Sequence, residues 1–371
     1  MSVSSQRVSQ FLPSQLQWSL LFLLGLCTIL PFRASAQGAE TEAPDEPVTS
    51  LDGTLKRITV HGDALEDNLA GDSPDRPVSV YLPPSYDSSQ DRRYPVLYLL
   101  HGFTDSDLTW FGWKEHFVNV PAAFERVLDD GSTREMILVM PNAFTAFQGS
   151  MYSSSATTGD WETFVAEGLV NYVDEHYRTI PERASRGLAG HSMGGYGTVR
   201  IGMKHPEVFS SIYAMSPCCM RAGLEPDTSA LKQAARIDSL NQIADAGFFT
   251  KAMLASAAAW SPAPKEPPLY VDLPWEDGEI QSDVVAEQAA NAILAMVHQY
   301  VPELRRLNAI ALDAGAQDQP IAGSTEKLAG ILAEYGIDHT VEIYDPGDHV
   351  SRVDERVEGS VLPFFSEQLA P

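Results

Sequence analysis

The sequence predicts an α/β fold in which helices cover both faces of a mostly parallel central sheet. Short runs rich in β-branched and aromatic residues alternate with longer helical stretches along most of the 371-residue chain, and this alternation is typical of parallel sheets. Residues 95–100 (PVLYLL) are apolar at nearly every position, as expected for a central strand covered on both faces. The composition, 44% hydrophobic and 20% charged, is that of a globular protein with one large core.

Turn residues mark the ends of the predicted elements. We expect eight strands, at residues 55–60, 78–82, 95–100, 136–140, 186–189, 211–215, 309–312 and 339–344. We expect helices at residues 161–177, 195–204, 282–298 and 324–335. Residues 218–301 break the alternation with a Pro-rich run and several aromatic residues, among them Phe248, Phe249 and Trp275. They are therefore predicted to form an insertion that covers one end of the sheet as a lid.

The N-terminus has the three-part pattern of a secretory signal peptide. Arg7 lies in a polar start, residues 18–32 are mostly apolar, and the small residues ASA end at position 36. A retained membrane anchor is the competing interpretation, but Gly25 and Pro31 interrupt the apolar stretch, which is shorter than the ~20 residues of a spanning helix. We predict that residues 1–36 are removed and that the mature protein is secreted or periplasmic, without stable membrane insertion.

The segment that follows, residues 37–50, begins QGAETEAPDEP, and its acidic, apolar-poor composition predicts a disordered linker. The folded domain is predicted over residues 51–371. Loss of residues 1–36 removes two arginines and no acidic residue, so the formal net charge changes from −25 to −27. Such an acidic surface repels phosphate groups, which excludes nucleic acid and anionic membrane surfaces as expected partners.

Cys218 and Cys219 are the cysteines left after the predicted cleavage, and they are adjacent. Two neighbouring cysteines cannot supply a disulfide framework or a zinc site. In an oxidising compartment they either close a strained ring with each other or stay as two buried thiols. The histidines outside the motifs below are scattered without metal-ligand spacing, so we expect no metal and no cofactor.

The strongest motif is GHSMGG at residues 190–195, directly after predicted strand 186–189 and directly before a helical stretch. This context is what the G-x-S-x-G nucleophile elbow of α/β-hydrolases requires. The glycines leave room for a tight turn beside the serine, whose own backbone is strained. The motif predicts an α/β-hydrolase fold with Ser192 as the nucleophile.

A serine hydroxyl needs a base to remove its proton, and the base needs an acid that orients its ring. In α/β-hydrolases these groups follow the serine in the order Asp or Glu, then His. His349 fits the base, because it lies in the loop directly after predicted strand 339–344. Asp318, in the loop after predicted strand 309–312, is the expected acid, and Asp313 is its competitor.

A tetrahedral intermediate also needs N–H donors for its oxyanion. Met193, the residue after the nucleophile, is expected to supply one backbone N–H group. The second is expected from the loop after an earlier strand. The residues HGF at 101–103 follow predicted strand 95–100, so the Phe103 N–H is the predicted second donor, with Gly102 as the alternative.

Five segments together resemble the esterase D-like family: YPVLYLLHGFTDSDLTWF, GDWETFVAEGLVNYVDEHYRT, RGLAGHSMGGYGTVRIGMKHPEVF, GAQD and GDHV. The family includes feruloyl and acetylxylan esterases, enterochelin esterases, S-formylglutathione hydrolases and the antigen 85 mycolyltransferases. The resemblance covers residues 51–369, interrupted by the predicted lid. It implies a catalytic triad and an oxyanion hole at the positions that the motifs predict: Ser192, Asp318, His349, Phe103 and Met193.

The resemblance also implies that Trp110 and Tyr152 line the substrate pocket. His191 stands where many members have Leu, and we expect it to be a packing residue. Other aromatic side chains near the predicted site favour a pocket for sugar or aryl esters: Trp113, Phe144, Phe147 and Trp275.

The resemblance implies an exported serine esterase that hydrolyses carboxylic esters, including carbohydrate or aryl esters, through an acyl-enzyme. Export argues against a cytosolic thioester such as S-formylglutathione as the substrate. An acyltransferase of the antigen 85 type is the alternative, since a sugar hydroxyl captures the same acyl-enzyme. A non-catalytic binding protein is disfavoured because candidates for every triad role are present.

Overall fold

The computed structural model describes residue 44 and residues 46–221, 228–276 and 278–371. The predicted signal peptide and most of the predicted linker lie outside the described residues. At the end of that linker segment, the Val48 N–H donates a hydrogen bond to the Gly112 carbonyl (2.8 Å). In the part of the chain that the structure describes, no helix is both long and apolar enough to cross a membrane.

An eight-stranded sheet forms the centre of the domain, in the order β1-β2-β4-β3-β7-β8-β11-β12. Strand β2 runs opposite to its neighbours β1 and β4, and the other neighbouring pairs are parallel. All eight predicted strands are present, so the mostly parallel sheet is confirmed. The strands are β1 Thr54–His61, β2 Asp75–Leu82, β3 Val96–Leu100, β4 Ile137–Pro141, β7 Arg186–His191, β8 Ser211–Met215, β11 Ala309–Gly315 and β12 Thr340–Tyr344.

Four shorter strands form two separate hairpin-like pairs. They are β5 Ser154–Ser155 with β6 Gly159–Asp160, and β9 Trp275–Glu276 with β10 Glu279–Ile280. The α-helices of the described residues are α1 Asp107–Trp110, α2 Val120–Asp129, α3 Trp161–Thr163, α4 Leu169–His176, α5 Met193–Lys204, α6 Thr228–Ala234, α7 Leu240–Ile243, α8 Phe248–Trp260, α9 Ser282–Ala290, α10 Ile293–Met296, α11 Val301–Leu304, α12 Gln319–Glu334, α13 Val353–Arg356 and α14 Leu362–Gln368.

Strand β3 shows how the sheet is covered on both faces. All five of its residues are buried, and successive side chains belong to different hydrophobic clusters. Tyr98 packs on one face, with Trp161 and Leu169 from the α3–α4 segment. Leu97 and Leu99 pack on the other face, with side chains of α2 and α14. This period-two alternation explains why the strand is a continuous apolar run in the sequence.

Helix prediction was less accurate at the element ends. The predicted helix 282–298 is two helices, because α9 ends at Ala290 and the backbone of Ala292 is extended. The N–H of Leu294 then donates to the Met220 carbonyl (2.9 Å), a contact outside the helix. A distant backbone acceptor of this kind has no local sequence signal.

The insertion 218–301 contributes helices α6–α10 and the β9–β10 pair. Helix α8 lies against the segment that contains β5, where the Trp260 indole N–H donates to Ser153 Oγ (3.0 Å) and Ser155 Oγ donates to the Ala258 carbonyl. At the start of α8, the Phe248 ring contacts the Phe103 ring edge-on, with centroids 5.7 Å apart. Part of the insertion therefore lies over the loop that follows β3.

A buried carboxylate ties this loop to the antiparallel edge of the sheet. Asp107, in α1, is fully buried. Its carboxylate accepts hydrogen bonds from Arg57 Nε of β1 (2.8 Å) and from Ser79 Oγ of β2 (2.7 Å). A carboxylate without water is stable only when its oxygens are paired in this way.

We predict that Asp107→Ala lowers the free energy of unfolding by about 3–5 kcal/mol, since the change leaves a buried guanidinium without this carboxylate. Urea unfolding followed by circular dichroism measures the effect. Glu355→Ala is the matched control, because it removes the carboxylate of an exposed pair with Arg352 and should cost no more than about 1 kcal/mol. Equal losses in the two variants would contradict the assignment.

Candidate active site

Ser192 occupies a strained turn between β7 and α5. Its φ and ψ angles are 55° and −113°, a conformation that a non-glycine residue adopts only when its surroundings hold it. The Ser192 N–H donates to the Met215 carbonyl (3.0 Å), and the Ser192 carbonyl accepts from the N–H groups of Tyr196 (2.9 Å) and Cys218 (3.1 Å). Backbone hydrogen bonds on both sides therefore fix the serine at the sheet edge.

The motif glycines allow backbone to pack directly against backbone. A Cβ atom on Gly190 would lie 2.4 Å from the Gly194 carbonyl oxygen. A Cβ atom on Gly194 would lie 1.9 Å from the carbonyl oxygen of Leu100, at the end of β3. Neither distance is possible for a real side chain, so only glycine fits at these positions.

The structure brings together the three residues predicted as a triad. His349 Nε2 lies 2.8 Å from Ser192 Oγ, and His349 Nδ1 lies 2.7 Å from Asp318 Oδ2. Because a carboxylate only accepts, the Nδ1–H donates to Asp318, and Nε2 is left to accept the hydrogen bond of the serine hydroxyl. This arrangement can take a proton from Ser192 and stabilise the imidazolium that forms.

Asp313, the competitor of Asp318, lies inside β11 and has other partners. Its Oδ2 accepts from Arg356 Nε (3.0 Å) and from the Tyr213 hydroxyl (2.9 Å). Burial raises the pKa of Asp313 to about 6. Strand β11 continues to Gly315, beyond the predicted end at residue 312, and this keeps Asp313 in the core.

The loop after β3 places candidate oxyanion donors beside the serine. Within the described residues, the N–H groups of Phe103 and Met193 donate to no protein acceptor. The Gly102 carbonyl accepts from His101 Nδ1 (2.8 Å) and from the Asp105 N–H (3.2 Å). Because the C=O and N–H of a trans peptide point in opposite directions, the Phe103 N–H points away from these donors.

His101 holds this peptide in place through both ring nitrogens. Its Nε2 accepts the Ala143 N–H (2.8 Å), so the proton lies on Nδ1, which donates to the Gly102 carbonyl. Burial lowers the pKa of His101, which keeps the ring neutral and this tautomer in place. The loop also lies close to the nucleophile, since a Cβ atom on Gly102 would come within 3.7 Å of Ser192 Cβ.

The resemblance implied that Trp110 and Tyr152 line the substrate pocket. Both side chains are wholly buried, so in this structure neither presents surface to a substrate. The Trp110 indole N–H donates to Asp105 Oδ2 (3.0 Å), and the Tyr152 hydroxyl donates to the His101 carbonyl (3.3 Å). Their contacts support the loop after β3, and a substrate-contacting role is not supported by this conformation.

Sequence reasoning missed other residues that border the site. His191, expected only to pack, donates from Nε2 to the His349 carbonyl (2.7 Å). Phe117 is partly exposed, with its ring centroid 6.3 Å from that of His191. Phe248 and Phe249 are exposed at the start of α8, next to Phe103. Only the adjacent pair Phe248-Phe249, two large aromatics at a helix start, gave any signal in the sequence.

Cys218 and Cys219 are free thiols in the structure, with Sγ atoms 2.7 Å apart. The hydrogen bond with the Cys219 thiol, and next burial, raise the pKa of the Cys218 thiol well above its usual range. Across residues 46–221, 228–276 and 278–371, no group of three or more His, Cys, Asp or Glu side chains is arranged to hold a metal ion. The polar side chains that meet beyond the carboxyl ends of β7, β11 and β12 include those of Ser192, Asp318 and His349.

The family model described as "Putative esterase" matches residues 73–353 of this chain. The chain belongs to the putative esterase family. An esterase of Mycobacterium tuberculosis is 34% identical over 147 residues, which are 39% of this chain and 30% of that protein. An endo-1,4-beta-xylanase/feruloyl esterase of Xylanibacter ruminicola is 29% identical over 135 residues, which are 35% of this chain and 18% of that protein. The matched segment is thus less than a third of each curated relative.

Solved structures resemble this protein over most of its length. A ferulic acid esterase superposes with a TM-score of 0.59 at 22% identity, over 86% of this chain and all of that chain. At this identity the likeness establishes the fold. The α/β-hydrolase fold predicted from the elbow motif is confirmed for this protein.

We predict that Gly194→Ala in the elbow destabilises the protein by at least about 3 kcal/mol, because the added methyl group would overlap the Leu100 carbonyl. Thermal and urea unfolding measure the loss. Gly330→Ala is the matched control: it lies in α12 with open space at its Cβ position and should gain about 0.5–1 kcal/mol. If Gly194→Ala is as stable as the wild type, the close contact between Gly194 and the Leu100 carbonyl is not required for stability.

Proposed function

We propose that this protein is an exported serine esterase that hydrolyses carboxylic esters through an acyl-enzyme. The observation that supports this most directly is the pair of hydrogen bonds that join Ser192 Oγ, the His349 ring and Asp318 Oδ2 at 2.8 and 2.7 Å. Membership of the putative esterase family supports the ester class. The signal-peptide pattern of residues 1–36 supports export to the periplasm or the medium.

In the acylation step, His349 Nε2 takes the hydroxyl proton as Ser192 Oγ attacks the ester carbonyl carbon. Asp318 holds the ring through Nδ1 and stabilises the imidazolium. The carbonyl oxygen becomes an oxyanion, which accepts hydrogen bonds from the N–H groups of Phe103 and Met193. When the tetrahedral intermediate collapses, the Nε2 proton passes to the alkoxide, and the alcohol leaves.

Deacylation repeats these roles with water as the nucleophile. His349 Nε2 removes a proton from water, whose oxygen attacks the acyl carbon, and the same N–H groups stabilise the second oxyanion. Collapse releases the carboxylic acid and returns the proton to Ser192 Oγ. The base is regenerated in each cycle, so the residues need no cofactor for either step.

For the substrate, we propose small or carbohydrate-linked esters with an aryl or acetyl group. The proteins that this chain resembles include a xylanase/feruloyl esterase and a ferulic acid esterase. The exposed ring of Phe117 lies beside His191, and the exposed ring of Phe248 lies beside Phe103. Flat apolar side chains of this kind stack on aryl and sugar groups.

We predict that Ser192→Ala lowers kcat for p-nitrophenyl acetate by about 10⁴-fold or more, since the variant cannot form the acyl-enzyme. Initial rates at mildly alkaline pH measure this fall in kcat. The release of ferulic acid from methyl ferulate serves as a second assay. A fluorophosphonate probe should label the wild type and not the variant. If the folded wild type neither turns over these esters nor reacts with the probe, the proposed function is wrong.

A separate prediction concerns the acid. Asp318→Asn should lower kcat by about 10³-fold or more, because an amide cannot stabilise the imidazolium and favours the wrong tautomer. Asp338→Asn is the control, because Asp338 is an exposed residue between α12 and β12, at the other end of α12 from Asp318, and it should keep wild-type kcat. Loss of activity in Asp313→Asn but not in Asp318→Asn would reverse the assignment of the acid.

A further inference from the structure

His191 contacts the catalytic loop in a way that its place in the motif does not reveal. It is the last residue of β7 and precedes Ser192 in the chain. Its Nε2 lies 2.7 Å from the backbone carbonyl oxygen of His349, a residue 158 positions away. Its ring also packs beside the His349 ring, with centroids 4.8 Å apart.

The chemistry of this contact fixes the state of the ring. A carbonyl oxygen only accepts, so His191 Nε2 carries the proton and Nδ1 has none. Within the described residues, Nδ1 is buried and without a hydrogen-bond partner, which a protonated nitrogen would tolerate poorly. Burial, and next the nearby His349, lower the pKa of His191 to about 4, so the ring is neutral at the pH of ester hydrolysis.

The neutral state of the His191 ring matters because a cation forms on the neighbouring His349 ring during the reaction. The His349 ring becomes an imidazolium in each transition state, and a second cation 4.8 Å away in a buried site would oppose that charge. The His191 ring also packs near the rings of Trp110 and Phe117, with centroids 5.9 and 6.3 Å away. His191 therefore contributes a hydrogen bond without contributing charge.

The loop is held two residues before His349, where the Gly347 carbonyl accepts the Gln317 N–H (2.8 Å), but His349 itself and the residues after it make fewer contacts. The His349 side chain is about one third exposed, and the following residues Val350 and Ser351 donate only to Asp348 within the loop. Asp318 orients the ring through Nδ1 but does not hold the main chain of His349. The described contact that holds this carbonyl is the one from His191.

We propose that His191 is a positioning residue that fixes the main chain of His349, so that Nε2 stays within hydrogen-bond distance of Ser192 Oγ. The inference rests on the proposed esterase function and adds a residue to its machinery. Because His191 is covalently next to Ser192, one short segment carries both the nucleophile and the anchor of its base. A shift in β7 then moves both groups together.

The test compares three substitutions of His191. The amide nitrogen of Gln lies as far from Cβ as Nε2 of His does, so His191→Gln keeps the donor, whereas His191→Asn carries its amide one bond short. We expect His191→Asn and His191→Leu to lower kcat for p-nitrophenyl acetate about tenfold, the rate equivalent of one hydrogen bond. KM should stay within about twofold, and His191→Gln should restore kcat to within about threefold of wild type.

The controls separate positioning from folding. Circular dichroism, thermal unfolding and a fluorophosphonate count of reactive serines establish the folded fraction of each variant, so that kcat is stated per competent site. His176→Gln changes an exposed histidine stacked on Tyr172 and should leave kcat unchanged. Because Gln and Asn are both polar, their difference remains informative even if the Leu variant fails to fold.

Each outcome bears on the proposal. Recovery by Gln but not by Asn supports it, as does a fall in kcat without a change in KM. Wild-type kcat in both the Asn and the Leu variants would overturn it while leaving the esterase function intact. A wild-type protein that neither hydrolyses esters nor reacts with the probe would overturn the proposed function, and the positioning role with it.

Discussion

The close contact between the elbow and the end of β3 is the constraint on which the site depends. The backbone at Gly194 lies so near the Leu100 carbonyl that a side chain there would overlap it. This approach places the start of α5, with the Met193 N–H, beside the loop that carries Phe103. It also forces Ser192 into a positive-φ conformation, whose cost of about 1–3 kcal/mol is offset by the backbone hydrogen bonds around it. Main-chain packing thus fixes the proposed nucleophile and the proposed oxyanion donors.

The parallel sheet supplies the rest of the geometry. Strands β7, β8, β11 and β12 are neighbours in that order, and their carboxyl ends meet at one edge, where ligand and catalytic groups of open α/β sheets lie. The loops after β11 and β12 are joined by the Gln317 N–H, which donates to the Gly347 carbonyl (2.8 Å). This connection brings Asp318 and His349 together. Groups far apart in the chain become hydrogen-bonded because the sheet aligns their strands.

Two buried histidines near Ser192 make the same kind of hydrogen bond. His101 donates to the Gly102 carbonyl and His191 donates to the His349 carbonyl. Burial lowers the pKa of each, so both act as neutral donors with a fixed tautomer. Each holds a main-chain carbonyl in a loop that carries a proposed catalytic group. In the proposed mechanism His349 takes and returns protons, whereas His101 and His191 keep theirs.

The sequence by itself determined the order of the strands along the chain, the elbow at residues 190–195, and candidates for each member of the triad. These rest on local patterns, since apolar runs, turn residues and a tight Gly-rich turn depend on neighbours in the chain. Only the tertiary structure separated Asp318 from Asp313, because the core partners of Asp313, Tyr213 and Arg356, are 100 and 43 residues away.

The contacts of the Trp110, Tyr152 and His191 side chains were also decided by the tertiary structure alone. Trp110 and Tyr152 are buried beneath the loop after β3, although their place in the sequence suited a pocket wall. His191 was expected only to pack, because its hydrogen-bond acceptor comes from a loop 158 residues later. Burial and hydrogen-bond partners follow from which segments the fold brings together, and a local pattern carries no information about distant segments.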